Sequence, residues 1–143
     1  MKPPFHLVEG CWQEYKQSLT AVRCQVFVVE QQVPAALELD AYDPCCHHVL
    51  MSDSQGHPVG AGRIKPDGHI GRMAVLKDCR GQGIGTAMLM ALLEHARARG
   101  HARVFLHAQV SAIAFYAKFG FVENGEPFTE AGILHRRMVL SLP

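Results

Sequence analysis

A glycine-rich loop at the start of a helix is the segment of this sequence best suited to chemistry. It reads Arg80-Gly81-Gln82-Gly83-Ile84-Gly85, and apolar residues at helical spacing follow it. The first turn of a helix carries unpaired N–H groups and a partial positive charge, and glycines let an anion approach the backbone closely. Arg80 adds a full positive charge at the entrance of the loop. The segment therefore predicts a site for a phosphate-bearing ligand.

The loop differs from the common nucleotide-binding loops. It lacks the Gly-Lys-Ser/Thr ending of a nucleoside-triphosphate loop, and its glycine spacing is G-x-G-x-G, not the G-x-G-x-x-G of dinucleotide-binding folds. No acidic residue follows in a strand about 20 residues later, where such folds bind a ribose. From the residues alone, two alternatives stay open: a tight loop that binds nothing, and a nucleotide-binding switch.

Strands precede the loop, and helices alternate with strands after it. The predicted elements before it are a strand at 5–9, a helix at 18–32 with Ser18 as its N-cap, an acidic turn-rich segment at 35–44, and a meander of strands at 45–52, 58–65 and 69–76. Those after it are a helix that ends at Gly100, a strand at 102–108, a helix at 111–119, and closing strands at 121–122 and 133–142. This order predicts a mixed α/β (α+β) domain.

The composition indicates one globular, nearly neutral domain. The chain has 143 residues, of which 48% are hydrophobic and 19% are charged, and this length suits a single domain spanning 1–143. A net charge of +1 argues against nucleic-acid and membrane-surface binding, since both depend on a basic excess. Five cysteines without a C-x-x-C spacing, and no signal peptide or membrane span, predict a cytoplasmic protein.

A second motif lies roughly 30 residues after the loop, and reads Ala112-Ile113-Ala114-Phe115-Tyr116-Ala117-Lys118-Phe119-Gly120-Phe121. Together the two segments resemble the signatures of the GCN5-related N-acetyltransferase (GNAT) superfamily, Q/R-x-x-G-x-G/A and A-x-x-(F/L)-Y-x-K-x-G-F, with Arg80, Gly83 and Gly85 on defining positions. Further segments, among them 23–31 and 130–135, resemble a bacterial subgroup, the ElaA-like and YjcF-like proteins. The resemblance spans about residues 5 to 140.

The resemblance implies a GNAT-type fold, in which a mostly antiparallel twisted sheet is flanked by helices. It also implies an N-acetyltransferase that moves an acetyl group from acetyl-CoA to a primary amine by direct attack in a ternary complex. Loop amides would hold the pyrophosphate, and a strand backbone would pair with the pantetheine arm and polarise the acetyl carbonyl. The residues implied in acetyl-CoA binding are Met73, Ala74, Val75, Arg80, Gly81, Gln82, Gly83, Ile84, Gly85, Thr86, Gln109 and Phe115.

The resemblance also implies a catalytic acid, Tyr116, which would protonate the leaving thiolate. A phenol with a pKa near 10 is a credible acid for a thiol whose pKa is about 8.5. The general base is less well defined, because the strand at 69–76 lacks the glutamate that many members carry. The candidates are Glu30, His47, His48, His107, His135 and ordered water. Glu30 and His135, lining the acceptor pocket as a pair, are the predicted choice.

Other features lead to further expectations. A non-catalytic acyl-CoA-binding or sensor module on the same fold is the alternative function, and the resemblance favours a homodimer. Cys45-Cys46-His47-His48 predicts no metal site, since adjacent side chains of a strand diverge and no second pair has zinc spacing. Most of the acidic side chains among Glu38, Asp40 and Asp43 are expected in a solvated loop.

Overall fold

A computed structural model describes residues 4–143 of the chain. The strands are β1 (Phe5–Gly10), β2 (His47–Asp53), β3 (Pro58–Ile64), β4 (His69–Val75), β5 (Arg103–Gln109), β6 (Val122–Glu123), β7 (Phe128–Glu130) and β8 (Ile133–Ser141). The α-helices are α1 (Trp12–Arg23), α2 (Ala35–Glu38), α3 (Ile84–Ala98) and α4 (Ile113–Ala117), and a π-helical segment, Cys24–Glu30, continues α1. No helix within residues 4–143 combines the length and the apolar character that crossing a bilayer requires.

All eight strands belong to one sheet. Its order is β1-β2-β3-β4-β5-β8-β6, and β7 pairs with β8 outside this path. Neighbouring strands are antiparallel except for β4 and β5, which are parallel. Helices pack on this sheet, so the predicted mixed α/β fold with a mostly antiparallel sheet is confirmed.

Helices α1 and α3 cover opposite faces of the first four strands. Along β2, Val49 and Met51 belong to the core under α3, whereas Leu50 belongs to the core under α1. This alternation follows from the two-residue period of a strand. The last four strands have Leu106 and Met138 in the core under α3. The cluster under α1 draws its strand residues from β2, β3 and β4.

The parallel pair β4 and β5 makes contact over only two positions, His69 with Phe105 and Ile70 with Leu106. Beyond them the backbone of β4 contains an irregularity, because the register against β3 shifts within a short stretch of the two strands. Arg72 lies in this irregularity with a backbone φ of 50°, a value that residues other than glycine rarely adopt. The two strands therefore leave a gap at the carboxyl end of β4.

The first helix differs from its prediction. It begins at Trp12, six residues before the expected cap at Ser18, and Cys11 and Glu14 form its capping box. The signal was missed because cysteine is an unusual N-cap. The second half is π-helical, and the backbone N–H of Gln31 bonds the Val26 carbonyl at 3.0 Å. Strand β7 was also absent from the predicted elements.

The acidic segment after α1 is folded onto the protein, so the expectation of a solvated loop is wrong for most of its carboxylates. Glu38 and Asp43 are buried, and Asp40 is partly buried. Three arginines from α1, β3 and β4 bind this segment: Arg23 pairs with Glu38 and Asp43, Arg63 with Asp40 and Asp43, and Arg72 with Asp40. Burial opposes the charged form of each carboxyl, yet hydrogen bonds from the arginines outweigh it and lower the pKa of Asp40 and Asp43.

Candidate active site

A cavity of about 970 Å³ opens in the gap between β4 and β5. Its walls come from the π-helical segment, β4, the glycine loop, the first turn of α3, β5, α4 and the hairpin of β7 and β8. All the residues expected to bind acetyl-CoA line it except Gln82. Tyr116 and His135 also line it, whereas Glu30 does not. The structure thus brings most of the predicted site residues to one place.

The glycine loop presents open backbone at one end of the cavity. Gly81 and Gly83 have φ of 77° and 84°, and a Cβ placed on either would meet no atom within 4 Å. Gly83 is the N-cap of α3, and no side chain caps the N–H groups of the first turn. Unpaired amides and open space are what a phosphate group requires at a helix N-terminus. This end of the cavity is therefore built to receive an anion.

The irregular part of β4 forms one wall beside the loop. Met73, Ala74 and Val75 line the cavity with Gly71 and Arg72. The guanidinium of Arg72 is held outside the strand, since its Nη2 donates to the Glu38 carbonyl at 3.0 Å. Because β5 does not pair with β4 here, this edge of β4 can bond an extended group entering the gap, except at the Val75 carbonyl, which accepts a hydrogen bond from Arg80.

Arg80 is bound by Glu30 in the structure. Its Nη1 and Nη2 donate to the two carboxylate oxygens at 2.8 and 2.7 Å, and its Nε donates to the Val75 carbonyl at 3.0 Å. The hydrogen bond from Arg80 lowers the pKa of Glu30, which makes the carboxylate a weak proton acceptor. Glu30 thus binds Arg80, whereas His135 lies in the cavity wall, and the roles of the two as an acceptor-side pair stay a prediction.

Tyr116 lies in the wall formed by α4. Its side chain is 8% exposed and packs edge-to-face on Phe115 and Phe121, with ring centroids 5.1 and 5.8 Å apart. Burial raises the pKa of Tyr116 to about 12, so the phenol stays protonated near neutral pH. Phe115 lies close to the first turn of α3, where its ring would be 3.4 Å from a Cβ on Gly85.

Gln109, at the end of β5, is paired with Gln31. Each amide nitrogen donates to the other's oxygen, at 3.2 and 2.9 Å, and both residues line the cavity. The pair joins the end of the π-helical segment to the strand across the gap. Gln31 was not among the predicted site residues, because nothing local in the sequence links it to a residue 78 positions away.

At the other end of the cavity, imidazole rings gather around one carboxylate. His107 Nδ1 lies 3.2 Å from Glu130 Oε1, and the ring centroid of His69 lies 4.6 Å from that of His107. His135 has its Nδ1 2.7 Å from the Ile133 carbonyl and its Nε2 3.9 Å from Glu130 Oε2. Burial, with repulsion from His107, lowers the pKa of His69 to about 4. We call His69, His107, Glu130 and His135 the imidazole cluster.

Glu130 and His69 are the members of the imidazole cluster that sequence reasoning missed. Gly132 was the available signal for Glu130, since glycine favours a tight turn between strands. In the structure Ala131 and Gly132 both have positive φ, and the turn places Glu130 opposite Ile133. The other candidate bases lie elsewhere. His47 bonds Glu9, and buried His48 bonds the Asp43 carbonyl.

Comparison with known proteins agrees with this geometry. The family model described as an acetyltransferase (GNAT) domain matches residues 15–142. The chain belongs to the GNAT family. It is 42% identical to the N-acetyltransferase YjcF of Bacillus subtilis, whose activity is uncharacterized, over 82% of this chain and 86% of that protein. The resemblance noted in the sequence is thereby confirmed, and so is a general acyl-CoA-dependent N-acetyltransferase character.

Solved structures agree with this GNAT assignment. ElaA of Escherichia coli has a TM-score of 0.84 and 28% identity, covering 94% of this chain and 98% of that one. An acyl-CoA N-acyltransferase from Pseudomonas aeruginosa has a TM-score of 0.83 and 28% identity, with coverage of 94% and 98%. The fold is thus shared with these proteins along nearly their whole length.

Proposed function

We propose that this GNAT protein transfers an acetyl group from acetyl-CoA to a primary amine, by direct attack in a ternary complex. The observation that carries the proposal is the single cavity that joins the open amides of the glycine loop, the free edge of β4 and the imidazole cluster. One end suits an anion, the middle suits an extended arm, and the far end offers groups that handle protons. Its volume of about 970 Å³ lies near the upper limit for ligand pockets, roughly 1,000 Å³, as a large coenzyme requires.

The donor is placed by backbone groups. The N–H groups from Gly81 to Thr86 bind the pyrophosphate, where the helix dipole adds to their hydrogen bonds. Arg80 binds the phosphates once some or all of its hydrogen bonds to Glu30 are broken. The pantetheine arm extends along Met73, Ala74 and Val75, and Gln109 and Phe115 contact it from the opposite wall.

The chemistry needs two donors as the thioester reacts. A backbone N–H of Met73 to Val75 stabilises the oxyanion that forms when the amine attacks the carbonyl carbon. Tyr116 donates a proton to the thiolate of coenzyme A as the C–S bond breaks. Its place in the cavity wall supports this role, and its phenol is protonated at neutral pH.

A non-catalytic acyl-CoA-binding or sensor module is the second candidate. One observation favours it: β4, with the sequence His-Ile-Gly-Arg-Met-Ala-Val, contains no carboxylate. Both candidates require acetyl-CoA binding, and only the first requires release of coenzyme A. The two are therefore separated by turnover and not by affinity.

The test combines titration calorimetry with acetyl-CoA and a thiol-release assay on spermidine, glucosamine, lysine, phenethylamine and a lysine-containing peptide. We expect micromolar acetyl-CoA binding and acetylation of at least one amine. Binding without thiol release from any of them would favour the sensor module. Tighter binding of ATP than of acetyl-CoA would favour a nucleotide switch instead. The homodimer, the cytoplasmic location and the single-domain organisation stay predictions from the sequence.

A further inference from the structure

The imidazole cluster lies on a sheet surface that strand pairing assembles from four strands. His69 pairs with Phe105, His107 with Arg137, and Gln109 with His135. The hairpin adds Phe128 opposite His135 and Glu130 opposite Ile133. Directly opposed residues of neighbouring strands share one face, so all these side chains lie on the same side of the sheet. This is the side opposite α3, which packs on Leu106 and Met138.

Within the cluster, His107 and Glu130 form a carboxylate–imidazole pair. An ionised carboxylate only accepts hydrogen bonds, so the contact of 3.2 Å between Nδ1 and Oε1 places the proton on Nδ1. The lone pair of the neutral ring then lies on Nε2. The side chain of His107 is 27% exposed and lines the cavity, so it is accessible to a molecule bound there.

We propose that His107 is the general base that takes a proton from the acceptor, and that Glu130 positions His107 by accepting a hydrogen bond from its Nδ1–H. The proposal rests on the proposed acetyltransferase function. It places the general base on β5, because β4 contains no carboxylate. It also defines the acceptor class. The acceptor enters as a cationic primary ammonium, drawn to the end of the cavity that carries Glu130.

The neighbouring groups are less suited to this role. His69 has a pKa of about 4, which makes it a weak base near neutral pH. His135 is 7% exposed, and its Nε2 is 3.9 Å from Glu130, beyond hydrogen-bond distance. Glu30 is occupied by Arg80. The charged or titratable groups that face His107 from the packed strands are His69 of β4, Glu130 of β7, and His135 and Arg137 of β8.

The proton balance of the step is complete without a further reactant. The ammonium gives one proton to His107 Nε2, and the freed lone pair forms the C–N bond. As the C–S bond breaks, its electron pair leaves on sulfur, and Tyr116 protonates that sulfur. The nitrogen then loses its second proton, which restores the phenol through water. His107 releases its proton to solvent, so one proton appears for each amide formed.

The test measures kcat/KM for the best amine of the panel between pH 5 and 9 in three variants. A general base accepts a proton only in its unprotonated form, so we expect the wild-type kcat/KM to fall at the acidic end of this range. His107→Gln should lower the rate about 100-fold and abolish this acidic limb. Glu130→Gln should lower the rate about 10-fold, because a neutral amide holds the Nδ1–H of His107 less firmly than a carboxylate does. His57→Gln is the matched control, since His57 lies 3.3 Å from Asp53 in an exposed turn.

Nitrogen-15 NMR of the histidine rings gives a readout that needs no turnover. We expect the Nδ1–H tautomer to dominate for His107 in the wild type and to be less populated in Glu130→Gln. If His107→Gln does not fold, the rate and the spectra of Glu130→Gln decide. An active wild type whose His107→Gln variant keeps its rate and its acidic limb would overturn this proposal alone. A wild type that binds acetyl-CoA but acetylates none of the amines would overturn the proposed function, and this base with it.

Discussion

The two ends of the cavity are built in different ways. At the loop end the functional groups are backbone amides, supplied by about six consecutive residues around Gly83. At the imidazole cluster they are side chains that four strands, distant in sequence, bring together. A backbone site depends on chain conformation, and a side-chain site depends on tertiary packing. Substitutions should therefore separate the two ends by what they damage.

The largest effect is expected at the loop. Gly83→Val introduces a side chain into the open space over the amides, so acetyl-CoA affinity should fall more than about 1,000-fold, since several charge-assisted hydrogen bonds are lost together. Titration calorimetry measures it. Gly56→Val is the matched control, because Gly56 has φ of 83° and equally open surroundings in a turn remote from the cavity. Equal affinity in the two variants would refute the anion site.

The next effect is expected on stability, at the buried ion pairs of the acidic segment. Arg63→Met removes a partner from Asp40 and Asp43, leaving buried charge less compensated, so the free energy of unfolding should fall by about 3 kcal/mol. Urea unfolding measures it at pH 7. The pKa values of these carboxyls are lowered in the folded protein, so the stabilisation is present above about pH 4 and is lost on acidification. The difference in free energy of unfolding between variant and wild type should therefore be smaller at pH 3 than at pH 7. A larger difference at pH 3 would contradict this account.

A third substitution separates chemistry from binding. Tyr116→Phe should lower kcat about 100-fold and leave acetyl-CoA affinity within a factor of two, because only the proton donor is removed. Initial-rate assays measure kcat, and titration calorimetry measures the affinity for acetyl-CoA. Tyr42→Phe, on a half-exposed ring outside the cavity wall, is the control. An equal loss of affinity and kcat would take Tyr116 out of the acid role.

The smallest effect is expected at Glu30. Glu30→Gln should leave the pH dependence of kcat/KM unchanged, since its carboxylate binds Arg80 and lies outside the cavity wall. Acetyl-CoA affinity should change less than about 5-fold, as expected for a partly exposed ion pair. Loss of the acidic limb in this variant would restore Glu30 as a base and place proton transfer at the loop end of the cavity.

The same contrast explains what the sequence could predict. The loop and α3 were found because glycine spacing and helical periodicity are local signals, and Gly100 ends the helix with φ of 82°, as a C-terminal glycine should. The β2–β4 meander followed from its turns. The imidazole cluster was found only in part, because His107 and Glu130 are 23 residues apart and meet through a hairpin that was not predicted.

The burial of charges in the acidic segment could not be predicted from local sequence either. Read along the chain, Glu38, Asp40 and Asp43 look like solvent-facing residues, since charged side chains are rarely buried without partners. Their partners come from α1, β3 and β4. Arg23 and Asp43 are 20 residues apart, and Arg63 is another 20 residues on. Only the folded chain shows that opposite charges meet there.

The ion pair between Arg80 and Glu30 also affects how fast the donor arrives. A bidentate pair is neutral as a unit, so Arg80 adds little long-range attraction for the polyanionic coenzyme while Glu30 holds it. Capture then depends on the short-range field of the loop amides. The association rate constant should accordingly fall only weakly as ionic strength rises.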